Sequence, residues 1–331
     1  MALGKNGIFS LEDVNIRQAE EVWPTTWGTT PPSNAPEIGG SGKIFFCGGE
    51  NDGDLIQRFE VTNDTNNTVN KGTMSTPSTN RWSGMTTVNY GYLTTSNPKT
   101  TIDRLTYAND TNSIAKGTQT GARYYDGATS SPTHGYIIGG YDGGSNSSVQ
   151  RYEFATDTGT ATQRCSLAVG SYDTMSTVGN KHYGWVGPKR NPTSNSQLYR
   201  IYYSNDSATT AIRGSVGGGW GSNATGNVDY GYWGGGGPGS GRTDVYRVDY
   251  ASDTGTGVRK GDLVSGRAEY ACATGNKFYG YWNGGEPGST NNTKTDRIDF
   301  SNDTVTALQR SEVQTRLKNA HAFCGGQDAV A

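Results

Sequence analysis

Six arginines, Arg58, Arg104, Arg151, Arg200, Arg247 and Arg297, each stand six residues before an aspartate. Those aspartates are Asp64, Asp110, Asp157, Asp206, Asp253 and Asp303, and each is followed by Thr or Ser. A further cation comes 12 or 13 residues after every arginine: Lys71, Lys116, Arg164, Arg213, Lys260 and Arg310. Guanidinium groups gathered at one point would clamp a carboxylate, and one per repeat could each hold a sugar. A residue identical in every copy of a repeat is instead spread around a ring. The spacing therefore favours a structural duty, in which each Arg lies between repeats or pairs with a nearby acid or turn carbonyl while its stem covers apolar surface.

Other chemistry-bearing residues are thinly spread. His134, His182 and His321 fall in separate repeats without HxH or HExxH spacing, so no metal site is expected and no cofactor is implied. Cys47, Cys165, Cys272 and Cys324 have no CxxC spacing and read as buried thiols. The run Gly234 to Gly239 lacks the Lys-Ser/Thr of a phosphate-cradling loop. No catalytic residue emerges. Aromatic residues are the better functional material, since Tyr and Trp make adaptable contacts to sugars or proteins. Trp185, Trp233 and Trp282 lie in strand-like runs that call for core packing, which leaves Trp82 and Trp220 as the candidate ligand surface.

The elements that position these residues follow from the period. Steps between the arginines are 46, 47, 49, 47 and 50 residues, the length of a propeller blade. Each repeat opens with an aromatic, glycine-rich segment such as Tyr230-Gly-Tyr-Trp-Gly-Gly235. The Arg segment has period-two alternation, as in Ile298 and Phe300. Asn-Asp-Thr or Ser-Asp-Thr then suits a tight turn, because Asp and Asn bond nearby amides and tolerate unusual φ. A third segment ends in the cation. A fourth, seen in Arg81 to Met85, Arg123 to Ala128, Arg267 to Ala271 and Arg316 to Ala320, is rich in small residues that suit a strand beside a central channel.

The last such segment, Leu317 to Cys324, is C-terminal, whereas the first repeat begins at Lys43 with the next segment type. Pairing the two would close the ring and leave no open sheet edge at the junction. The expected fold is all-β, a six-bladed propeller of four-stranded blades over 43–331, with Phe323 beside Phe45 and Cys324 near Cys47. The Gly-Gly doublets after an aromatic strand, and the polar turn after the Arg strand, resemble the kelch family of β-propellers over about 43–325. The tryptophan usual after the third strand of that family is replaced by the cation, and Thr94-Thr95 stands where the second repeat should carry its doublet. Some enzymes share this architecture: a galactose-oxidase-like copper site needs histidine and tyrosine pairs that do not assemble here. Ser252-Asp-Thr-Gly255 only faintly resembles a sialidase Asp-box.

Residues 1–42 lie outside the repeat. Ser10-Leu-Glu-Asp13 offers a cap, and Leu11, Val14, Ile16 and Val22 supply an apolar stripe of a short helix stopped at Trp23-Pro24. A helix so short is marginal alone, so it should dock either on its own propeller, as an ordered tail, or on another protein; in the second case Leu11, Val14, Ile16, Val22 and Trp23 are the candidate attachment arm. With 49 Gly, 11 Pro and a formal net charge of -2, the chain has no electrostatic footprint for nucleic acid. No apolar run near the start points to membrane insertion or export. The opening Met-Ala-Leu-Gly-Lys5, with Ser-Leu-Glu-Asp-Val14 and the Tyr-Gly-Tyr repeats, is similar to structural proteins of tailed-phage virions, especially cyanophage-like ones. That resemblance implies a tail, neck, fibre or capsid-decorating subunit, assembled in host cytoplasm and held to other virion proteins by the arm. The propeller would then serve assembly or contact with a host-surface glycan or protein. A carbohydrate-binding lectin is the alternative, and an enzyme of oxidase or sialidase type a third.

Overall fold

The computed structural model describes residues 42–48, 53–77, 83–95, 98–168, 176–188, 196–217, 220–237, 241–267, 271–285, 293–314 and 321–325. The chain divides into two units, Met1–Glu37 and Ile38–Ala331. The expected helix over 10–22, with all five attachment residues, lies outside the described residues.

The second unit is all-β. Its strands form six four-stranded antiparallel sheets, the blades of a propeller. In the fifth blade the order from the axis outward is Asn223–Gly226, Tyr230–Gly234, Arg242–Asp249 and Val258–Arg267. Blades two, three, four and six repeat that order, and in the first blade the innermost strand is His321–Gly325 from the far end of the chain. It pairs antiparallel with Lys43–Cys47, with Phe323 opposite Phe45. Cys324 lies opposite Ile44 and Cys47 opposite His321. The two cysteines are thus on neighbouring strands but three positions apart, about 10 Å along the strand.

The core is divided among the blade interfaces. Trp185 and Trp233 pack with Val178, Leu198 and Val248, and Tyr232 and Trp282 pack with Val245, Leu263 and Ile298. The innermost strands begin later than the small-residue segments suggest, at Gly84, Gly127 and Ala271 rather than at the arginines before them. Arg123 and Arg267 instead pack in the approach to those strands, both buried. Arg267 pairs with Asp296 at 2.9 Å and donates to the carbonyls of Gly284 and Lys294 at 2.6 and 3.1 Å. A guanidinium suits this place because its fork can satisfy several strand-end carbonyls at once.

Two faces result from the strand order. The turns joining first to second and third to fourth strands share one face, here the turn face. The longer connections, from second to third strand and from blade to blade, share the opposite loop face. The first blade has no turn between its first two strands, because they come from opposite ends of the chain. There Gly42 stands in the place of a turn residue. Its carbonyl accepts from Val61 N at 2.7 Å, as Asp229 accepts from Tyr250 N at 2.9 Å and Phe278 from Phe300 N at 2.9 Å.

Candidate recognition surface

Each repeated aspartate is held by the preceding blade. Asp253 takes Arg200 and Arg213, Asp206 takes Arg151 and Arg164, Asp303 takes Arg247 and Lys260, and Asp64 takes Arg297 and Arg310, at 2.7 to 3.6 Å. Arg58 with Lys71 holds Asp110, and Arg104 with Lys116 holds Asp157. The ring therefore closes across all six junctions, the chain ends included. A buried carboxylate needs its lone pairs satisfied, and the Tyr-Gly-Tyr/Trp motif supplies the rest. Its third residue donates to the same carboxylate: Trp185 to Asp253 at 2.7 Å, Tyr232 to Asp303 at 3.0 Å, Tyr281 to Asp64 at 2.9 Å. Burial, and then the Asp303 carboxylate, push the Tyr232 hydroxyl well above its ordinary range, so it stays protonated and donating. The first tyrosine of the motif lies against the guanidinium, 4.3 to 4.6 Å from the ring centre in Tyr90, Tyr183, Tyr230 and Tyr279. The glycine between them leaves room for a neighbour: a Cβ on Gly280 would stand 2.8 Å from Thr225 Cγ2 and 3.0 Å from Phe300.

A second set of contacts escaped sequence reading. In four of the six blades the residue before the anchor arginine accepts a hydrogen bond from the previous blade's backbone. Gln57 accepts from Gln314 N, Asp103 from Ser75 N, and Gln150 from Thr120 N, each at 2.8 Å, and Asp296 from Val264 N at 3.2 Å. The signal was a polar residue at an otherwise buried strand position.

The turns between first and second strands behave differently. Their frame is constant: a Thr, Ser or Asn side chain opens each turn and accepts from the amide that begins the second strand. Thr87 does so for Tyr90, Ser131 for His134, Asn180 for Tyr183, Asn227 for Tyr230 and Asn276 for Tyr279, at 2.8 to 3.1 Å. Their tips vary from blade to blade: Val88-Asn89, Pro132-Thr133, Lys181-His182, Val228-Asp229 and Lys277-Phe278. Val88 and Phe278 are both 54% exposed. Beside the first of these tips is an open cavity of about 470 Å³ lined by Lys43, Val88, Asn89, Tyr90, Thr106, Tyr107 and Ala108. It forms where Lys43 stands at the position that begins the second strand, held by a tyrosine in four of the other blades and by His134 in the third. The Lys43 ammonium turns to Asp110 at 3.0 Å and to the Tyr107 carbonyl at 3.2 Å.

The axial channel is lined by Thr86, Thr129, Thr177, Thr225 and Thr274 with Gly and Ala, around a cavity of about 80 Å³. Among the described residues no group of three or more His, Cys, Asp or Glu could hold a metal ion, and no helix is long and apolar enough to cross a membrane. Trp220 is half-buried on the loop face, its carbonyl accepting from Gly237 N at 2.7 Å. Trp82 lies outside the described residues.

No family model matches the chain, and no curated protein matches it. Among solved structures, that of YjhT superposes with a TM-score of 0.60 at 13% identity, covering 74% of this chain and 87% of that one. At this identity the likeness is one of fold, a β-propeller.

Proposed function

We propose that this chain is a structural protein of a phage virion, a tail, neck, fibre or capsid-decorating subunit, whose kelch-like propeller is a binding module rather than an enzyme. In this reading Leu11, Val14, Ile16, Val22 and Trp23 attach it to other virion proteins, and the turn face makes the assembly or host contact. The observation that carries the binding half is the contrast between constant frame and varied tips. Residues that repeat are engaged between blades, while those that differ stand exposed on five anchored turns, the usual place for recognition on a rigid scaffold. The virion half rests on the N-terminal resemblance. Removing residues 1–42 tests it: particles should form without the protein while the truncated ring stays folded by circular dichroism. Unchanged incorporation of the truncated chain would overturn the assignment of the arm.

The lectin reading is favoured by one observation, the half-buried Trp220 on the loop face. Glycan-array binding lost on Trp220→Ala or Trp82→Ala would support it against the first reading.

A further inference from the structure

The third and fifth blades build the same corner of the loop face from different residues. In each, the segment leading to the innermost strand is tied by a backbone bond to the connection after the second strand. Tyr124 O accepts from Tyr141 N at 2.8 Å in the third blade, and Trp220 O accepts from Gly237 N at 2.7 Å in the fifth. Strand pairing fixes the correspondence, with Thr129 opposite Tyr136 as Thr225 is opposite Tyr232. Tyr125 thus stands where the fifth blade has Gly221, and Tyr141 where it has Gly237. Glycine suits a left-handed backbone, and φ is +77 at Gly221. Tyr125 takes the same turn at φ +60, a conformation costly for a bulky residue. The other described residues with positive φ are fourteen glycines and the turn aspartates Asp110 and Asp157. The corner closes without a ring in the fifth blade, so the fold does not require the one at 125.

The rings furnish a patch of the loop face. Those of Tyr124 and Tyr125 lie 5.8 Å apart with their planes at 38°, and both residues are half-buried, as is Tyr141. Next in the chain, Asp142, Gly143 and Gly144 are exposed. The Asn146 side chain donates to Asp142 Oδ2 at 2.5 Å and accepts from Ser148 N at 2.7 Å, which fixes the carboxylate. A Cβ on Gly143 or Gly144 would meet nothing within 4 Å, so the peptide groups there are open to approach. A pyranose has an apolar C–H face and hydroxyls along its edge, the counterpart of rings beside a fixed carboxylate and open peptide groups. Like charge at Asp142 disfavours an acidic sugar.

We propose that this corner of the third blade is a sugar-binding site: the Tyr125 ring, with Tyr124 beside it, packs on the C–H face of a neutral pyranose, and Asp142 with the Gly143-Gly144 backbone takes its hydroxyls. The site uses the loop face and does not depend on the turn-face contact of the virion reading, so either can fail alone.

Saturation-transfer NMR of the full chain, titrated with the methyl glycosides of glucose, galactose, mannose and N-acetylglucosamine, tests it. At least one of these should bind, with transfer strongest at its ring C–H protons. Tyr125→Gly, which installs the residue found at 221, should unfold like the parent by thermal circular dichroism while binding that sugar about tenfold or more weakly, the size of one lost stacking contact. Tyr125→Phe should keep most of the binding, and Trp220→Ala all of it. No binding of any of the four sugars, undiminished binding in Tyr125→Gly, or loss of the fold in that variant overturns the proposal, the last because the ring would then serve the fold.

Discussion

Asp253 shows what one repeated residue does. It is 1% exposed and receives Arg200, Arg213 and the Trp185 indole. Without it a guanidinium only 9% exposed is left buried without its counterion, a loss that typically costs about 3–5 kcal/mol. Asp253→Ala should lower unfolding free energy by about that amount in urea titration. Asp206→Ala should cost less, about 1–2 kcal/mol, because Arg151 and Arg164 are 29% and 35% exposed and can turn to water. Buried thiols give a second test at this scale. Burial pushes Cys165 up to about 11 and Cys272 up to about 12, so neither forms thiolate near neutral pH. Peptide mapping after iodoacetamide should find both unmodified in the native chain and both alkylated after unfolding. The Arg and Asp positions were legible because every blade needs the same charge pair at the same spacing. Gln57, Asp103, Gln150 and Asp296 were not, because one task, holding the previous blade's backbone, is met by different residue types.

Between blades, elements meet through the backbone as well as through side chains. The last residue of the outer strand in one blade accepts from the next blade's turn: Thr118 O from Ala161 N at 2.7 Å, Ser215 O from Gly257 N at 2.7 Å, Glu312 O from Thr68 N at 2.9 Å. This approach explains the small residue after each repeated cation, Gly72, Gly117, Cys165, Gly214, Gly261 and Ser311. A Cβ on Gly261 would stand 2.1 Å from the Val305 carbonyl oxygen. Gly261→Ala should therefore destabilise the ring by about 1–3 kcal/mol in urea titration, the cost of overpacking against a backbone that cannot move alone. Gly255→Ala, with open space around its Cβ, should cost much less. Strand type and turn chemistry were readable from alternation and from Asp and Asn. Inner-strand starts were not: Arg123 and Arg267 look like surface residues in sequence, and only the folded blades reveal the carbonyls they satisfy.

At the scale of the whole molecule, closure joins the two ends of the repeat array in one sheet. Deleting residues 321–331 would strip the first blade to three strands and expose Ile44, Phe46 and Phe59. The deletion should give an aggregating chain without a cooperative transition, monitored by size-exclusion chromatography and thermal circular dichroism. The ring was legible because one period runs from Arg58 to Arg297. Function was less so, since the repeat's polar residues are engaged between blades and the varied tips follow no rule that a single sequence can display. An electron cryomicroscopy map of the full-length protein in phage particles tests the central claim most directly. The account predicts the turn face, with Val88, Val228 and Phe278, buried against another protein. A turn face bare in the particle, with the loop face around Trp220 engaged instead, would contradict it.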